Sequence, residues 1–153
     1  MMAKTKEKRR VTADDLGIDV WNKSGTAVFH WLMCVILMSK PIQQELAGAA
    51  FKRLRARKIA TPDRICEAGW RAIVDALGEA HYVRYDESTA TRLLEASELL
   101  RENYDGRITK FISSCDSADE LYEAVQRFKG VGATGADIFM REIAPAYFGR
   151  QWH

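Results

Sequence analysis

A chain of 153 residues with 47% apolar and 29% charged residues suits one globular, soluble domain with a sizeable core. Three isolated cysteines, Cys34, Cys66 and Cys115, argue against a disulfide framework or a Cys-rich metal site. They point to a reduced, cytoplasmic setting in which each is a small buried hydrophobe. Net charge is only +2, but Lys4, Lys6, Lys8, Arg9 and Arg10 against Glu7 put +4 on the first ten residues, leaving −2 for the rest.

Residues 1–11 therefore read as a flexible basic arm, suited to nucleic acid or to no partner, and residues 12–153 as one helical domain. No apolar stretch of signal-peptide type follows the arm. Thr12 with Asp15 marks a first helix start, and Gly17 keeps that helix short. Ser24 caps a long helix through Met38. Its residues 27–38 are apolar except His30, too few for a membrane span of about 20 residues, so this helix is the buried centre of the domain. His30 is expected at the core or its edge, with one hydrogen-bond partner. Ser39-Lys40-Pro41 breaks the helix. Residues 42–57 form the next one; its basic tail, from Lys52 to Lys58, is either a solvated helix end favoured by the dipole or a DNA patch.

Thr61-Pro62-Asp63 starts a short helix to residue 68, and another runs over 70–77 to Gly78. Asp86 or Ser88 opens a longer helix to Tyr104, stopped by Gly106. A helical turn covers 108–113. Ser117-Ala118-Asp119-Glu120 is a capping box that opens a helix burying Leu121, Val125 and Phe128. A last helix over 133–143 ends at Pro145. The pattern predicts an all-α fold of about nine helices in one compact domain.

The most informative stretch is Phe128-Lys129-Gly130-Val131-Gly132-Ala133-Thr134-Gly135-Ala136-Asp137. Glycines let the backbone take positive φ and approach a ligand. The next helix opens with unpaired N–H groups at the positive end of its dipole, a phosphate site. An ordinary tight turn between packed helices would use similar residues. With its flanking helices, residues 117–143, the stretch resembles the helix-hairpin-helix of DNA-repair proteins. The helix order over residues 27–143 resembles the six-helix barrel of the helix-hairpin-helix DNA glycosylase superfamily, the endonuclease III-like group. The stretches Tyr82 to Ala90 and Ile138 to Glu142 look similar to a small branch of unassigned activity.

The resemblance implies double-stranded DNA, intact or damaged, as partner. It implies a phosphate held around Lys129, Gly130, Val131, Gly132, Ala133, Thr134 and Gly135, with a monovalent cation at Gly130 and Gly132. Lys40, Pro41 and Gln43 match the family's wedge loop, which enters the duplex beside an extruded base. A plain interhelical turn is the alternative there. The catalytic pattern departs from the family. Thr134 stands where the bifunctional enzymes carry a Schiff-base lysine. No acid follows Glu142, and the four-cysteine iron–sulfur segment is missing. Asp137 lies inside the helix, where the family has a structural residue. His81, Tyr85 and Asp86 remain as catalytic candidates, and Tyr82 and Tyr85 beside Arg84 as a stacking pocket. Asp86 as a helix cap and the tyrosines as packing are the plainer readings. Three functions follow: a base-excision enzyme with an unorthodox acid, a non-catalytic DNA-binding module, or an interaction protein on the same scaffold, with a protein partner.

Overall fold

The computed structural model describes residues 10–152. Most of the expected basic arm, residues 1–9, lies outside them. Seven α-helices follow two 3-10 turns: α1 (Gly25–Met38), α2 (Gln44–Ala56), α3 (Pro62–Glu79), α4 (Asp86–Tyr104), α5 (Ile108–Ser113), α6 (Ala118–Val125) and α7 (Ala133–Phe148). Every regular element among the described residues is helical, and one core joins them.

The expected capping chemistry is in place. The hydroxyls of Ser24, Thr61 and Ser117 accept the N–H groups of Ala27, Arg64 and Glu120. Each satisfies one donor that the first helical turn would leave open. Thr12 and Asp15 exchange backbone-to-side-chain bonds of 3.2 and 2.9 Å ahead of a turn closed by Gly17. The apolar helix α1 lies at the centre, packed on α2, α4, α5 and α7. Its Val28, Phe29 and residues 31–38 are buried. His30 sits at the core edge, 5.2 Å edge-on from Phe51, and burial lowers its pKa. Cys34 and Cys115 are buried, and burial pushes the Cys34 thiol well up, which keeps it neutral. Cys66 is half-buried.

Several boundaries differ from the sequence reading. Gly69, at φ +84°, breaks α3 where the two short helices were expected to meet, but the second half runs past Gly78 to Glu79. His81, at φ +66°, takes a left-handed turn after the helix. Pro145 does not end α7. The helix continues to Phe148, and Gly149, in the left-handed conformation, closes it. Proline lacks an N–H but has a helical φ, and the apolar side chains of Ala146, Tyr147 and Phe148 pack on the core and hold the last turn. Val11, assigned to the arm by charge alone, is buried. No helix among the described residues is long and apolar enough to cross a membrane.

Candidate nucleic-acid interface

The turn between α6 and α7 begins with Phe128, whose ring is buried 5.1 Å from Phe111. Val131 N–H donates to the Phe128 carbonyl at 3.0 Å, closing a four-residue turn with Lys129 and Gly130 at its tip. Gly130 has φ +89°, the conformation that the third position of a type II turn reserves for glycine. Gly132 then caps α7 in an extended conformation, φ −97° and ψ −160°, with no side-chain cap. The N–H groups of residues 132–135 donate to no described residue, and neither do the carbonyls of residues 129–131 accept from one. The first set can hold an anion; the second can hold a small cation.

The glycines differ in what they do. A Cβ on Gly132 would meet nothing within 4 Å, so packing does not require glycine there. A Cβ on Gly135 would lie 2.9 Å from Ser39 Oγ and 3.2 Å from Val131 Cγ1. Gly135 thus lets α7 press against the end of α1. Gly135 and Val131 are buried, whereas Lys129, Gly130, Gly132, Ala133 and Thr134 are exposed. The last five form the accessible part of the hairpin.

A hollow of about 350 Å³ opens between this turn and the end of α1, lined by Ser39 and Lys40 on one side and Gly130, Gly132, Ala133 and Thr134 on the other. The hairpin and the start of the 39–43 loop, 90 residues apart in sequence, therefore share one site. Two other hollows are of similar size. One borders the same turn, with Glu95, Glu98 and Glu102 of α4 facing Arg127 and Lys129, and the other sits by Thr61 and Arg107. Within the 39–43 loop, Pro41 and Gln43 are exposed. Lys40 Nζ lies 5.4 Å over the Tyr85 ring, and the Arg84 guanidinium lies 5.3 Å from the same ring. This contact joins the 39–43 loop to the α3–α4 loop. Val83, on that loop, is 60% exposed, a large apolar side chain left in water beside two cations.

The candidate catalytic residues lie on this second loop. Asp86 is the first residue of α4 rather than its cap, and its Oδ1 accepts the Glu87 N–H at 2.6 Å. His81 is exposed at the left-handed turn. Tyr85 is half-buried between the two cations. The expected pair of stacking tyrosines is corrected to one. Tyr82 is 1% exposed, and its hydroxyl donates to the Leu37 carbonyl at 2.8 Å. With its single proton used there, it must accept from Thr89 Oγ1 at 3.1 Å. Burial pushes its pKa up to about 12. Tyr82 is a strut that fixes the end of α1 against α4. Asp137 is also tied, by the Trp152 indole N–H at 3.0 Å, where the C-terminal tail folds back on Tyr122.

Sequence reasoning misses Arg92. Its Cδ and Nε lie 3.2 and 3.3 Å from where a Gly130 Cβ would be, its Nη1 pairs with Glu95 at 3.0 Å, and its Nε is buried without a partner. It puts a cation directly beneath the turn. Nothing in the helical pattern of α4 marks it, because the contact is made across 38 residues. Among the described residues no group of His, Cys, Asp and Glu side chains could hold a metal ion. No family model, curated protein or solved structure matches the chain.

Proposed function

We infer that this protein binds duplex DNA as a base-excision-repair-type protein on the endonuclease III-like plan, holding one backbone phosphate at the Gly130-Val131-Gly132 hairpin. The observation that carries the reading is the glycine-capped start of α7, whose N–H groups have no protein partner and open into the hollow shared with Lys40. Those donors and the helix dipole favour an anion, and Lys129 and Lys40 add positive charge around it. The free carbonyls of residues 129–131 fit the monovalent cation that the resemblance implies. Such a contact positions the protein without reading sequence. Val83, Tyr85 and Pro41 supply apolar and aromatic surface beside it, with the Gln43 amide next to them, suited to a base step opened by damage.

A second reading, a recognition module without excision, is favoured by two observations. Asp86 is committed to its own helix, and on the resemblance Thr134 would stand where a lysine is needed for strand cleavage. One experiment addresses both. Binding to intact and abasic duplexes is followed across a salt series, and the same samples are assayed for base release and strand cleavage. Binding that weakens steeply with salt is expected. Product formation would support an excision enzyme, and binding without product the recognition module. The Gly132→Asp variant, folded by circular dichroism, should lose binding; unchanged affinity would sink the hairpin as the phosphate site.

A further inference from the structure

We propose that Arg150 and Trp152 are positioning residues of the phosphate site: they strap α6 to α7 and so hold the hairpin between the two helices in its binding geometry. The inference rests on the DNA-binding reading above. Its structural basis is the set of contacts made by residues 149–152.

The chain reverses at Gly149, whose φ of +60° turns the backbone off the end of α7. The N–H groups of Gly149 and Arg150 donate to the carbonyls of Pro145 and Ala144 at 3.2 and 3.3 Å, so the reversal is hydrogen-bonded. Beyond it, the half-buried Trp152 donates its indole N–H to Asp137 Oδ1 at 3.0 Å. Asp137 is the fifth residue of α7 and lies before Phe148 by about 16 Å of helix. The strap therefore runs back towards the hairpin. Its other side grips α6. Arg150 Nη1 pairs with Asp119 Oδ1 at 3.0 Å, and the Trp152 ring lies 5.3 Å from the Tyr122 ring. Asp119 and Tyr122 share one face of α6. The Arg150 guanidinium, 5.1 Å from the Trp152 ring, joins the two grips.

The spacing of these helices decides whether the site can work. Lys129 and Gly130 follow α6, whereas the free N–H donors of residues 132–135 open α7. α6 has only 8 residues and packs chiefly on α7, so its place in the fold depends on the seam that the strap crosses. Within the hairpin, Val131 N–H donates to the Phe128 carbonyl at 3.0 Å and Ala136 N–H to the Gly132 carbonyl at 2.9 Å. Both bonds are local, and neither joins one helix to the other. If α6 shifts on α7, the Lys129 charge and the α7 donors no longer converge on one phosphate. A site held in place before binding avoids the cost of ordering it on association.

The test pairs duplex binding with amide hydrogen exchange, both on the full chain. Trp152→Ala should weaken binding about 10-fold at every salt concentration. The slope of log K against log salt should stay as in the wild type, because no phosphate contact is removed. Without DNA, exchange at Val131 and Ala136 should quicken while the amides of α1 keep their protection. Arg150→Asp should weaken binding as well, and adding Asp119→Arg, which rebuilds the pair in reverse, should recover most of the loss. A loss that the reversed pair does not recover, with a smaller salt slope, would put Arg150 on the DNA itself and overturn its positioning role. Exchange that quickens in α1 as much as in the hairpin would make Trp152 a stabiliser of the whole fold and overturn the proposal. Binding that Gly132→Asp abolishes and Trp152→Ala leaves unchanged would overturn the strap and leave the hairpin standing. No salt-dependent binding by the wild type would overturn the DNA reading and the positioning role with it.

Discussion

The α6–α7 turn and the α3–α4 loop both connect helices at the same face, and they are built from opposite materials. The first offers backbone: exposed glycines, free N–H groups and a helix dipole. The second offers side chains: Val83, Arg84 and Tyr85, braced from below by Tyr82. Backbone donors suit a group that every nucleotide carries, whereas an aromatic ring and an exposed apolar side chain suit bases. On the proposed function, the difference would give affinity to one loop and preference among duplexes to the other.

The sharpest way to break that division is Gly132→Asp. A carboxylate facing a phosphate should cost about 3 kcal/mol, on the order of a 100-fold loss of affinity on every duplex. Because Asp is a good helix cap and the site has room for a Cβ, the melting temperature should hold or rise slightly. A destabilised variant would refute the packing argument. Tyr85→Ala should act selectively, losing about 1 to 3 kcal/mol on duplexes with an unpaired base and much less on intact ones; equal losses on both would place Tyr85 outside the base contacts. Tyr82→Phe should leave DNA contacts in place and lower stability by about 1 to 2 kcal/mol, measured by denaturant unfolding, because the buried Leu37 carbonyl and Thr89 hydroxyl both lose a partner.

The smallest effect expected is the pH response of His30. Burial lowers its pKa in the folded state, below the ordinary value of 6.5. The unfolded chain therefore binds the proton more readily. The contribution to stability is whole above pH 6.5 and is lost as pH falls through that value towards the folded pKa. Melting curves from pH 8 to pH 5 should show this loss, and His30→Leu should flatten it.

Much of the fold was legible because its signals are local. Ser24, Thr61 and Ser117 cap where their hydroxyls and sequence spacing place them, and the apolar run of α1, interrupted only by His30, marks the buried centre. Pro145 misled because it is a breaker by propensity, and the packing of Ala146, Tyr147 and Phe148 outweighed it, whereas at Gly78 the helix runs on by one residue only, to Glu79. In the candidate site, Gly130 was legible as a turn glycine, while Gly135 looked like a ligand-facing residue and proved to be a packing one.

By itself, the sequence determined the helices, the centre of the core, the glycine turn and the uneven charge, all set by neighbours within a few residues. Only the tertiary structure decided that Ser39 and Lys40 line the hairpin hollow, that Arg92 underlies Gly130, that Tyr82 is a strut and Tyr85 is not, and that Val11 is tied to the first residue of α2. Each of these depends on residues 33 to 95 positions apart meeting across packed helices, and no local pattern encodes which faces meet.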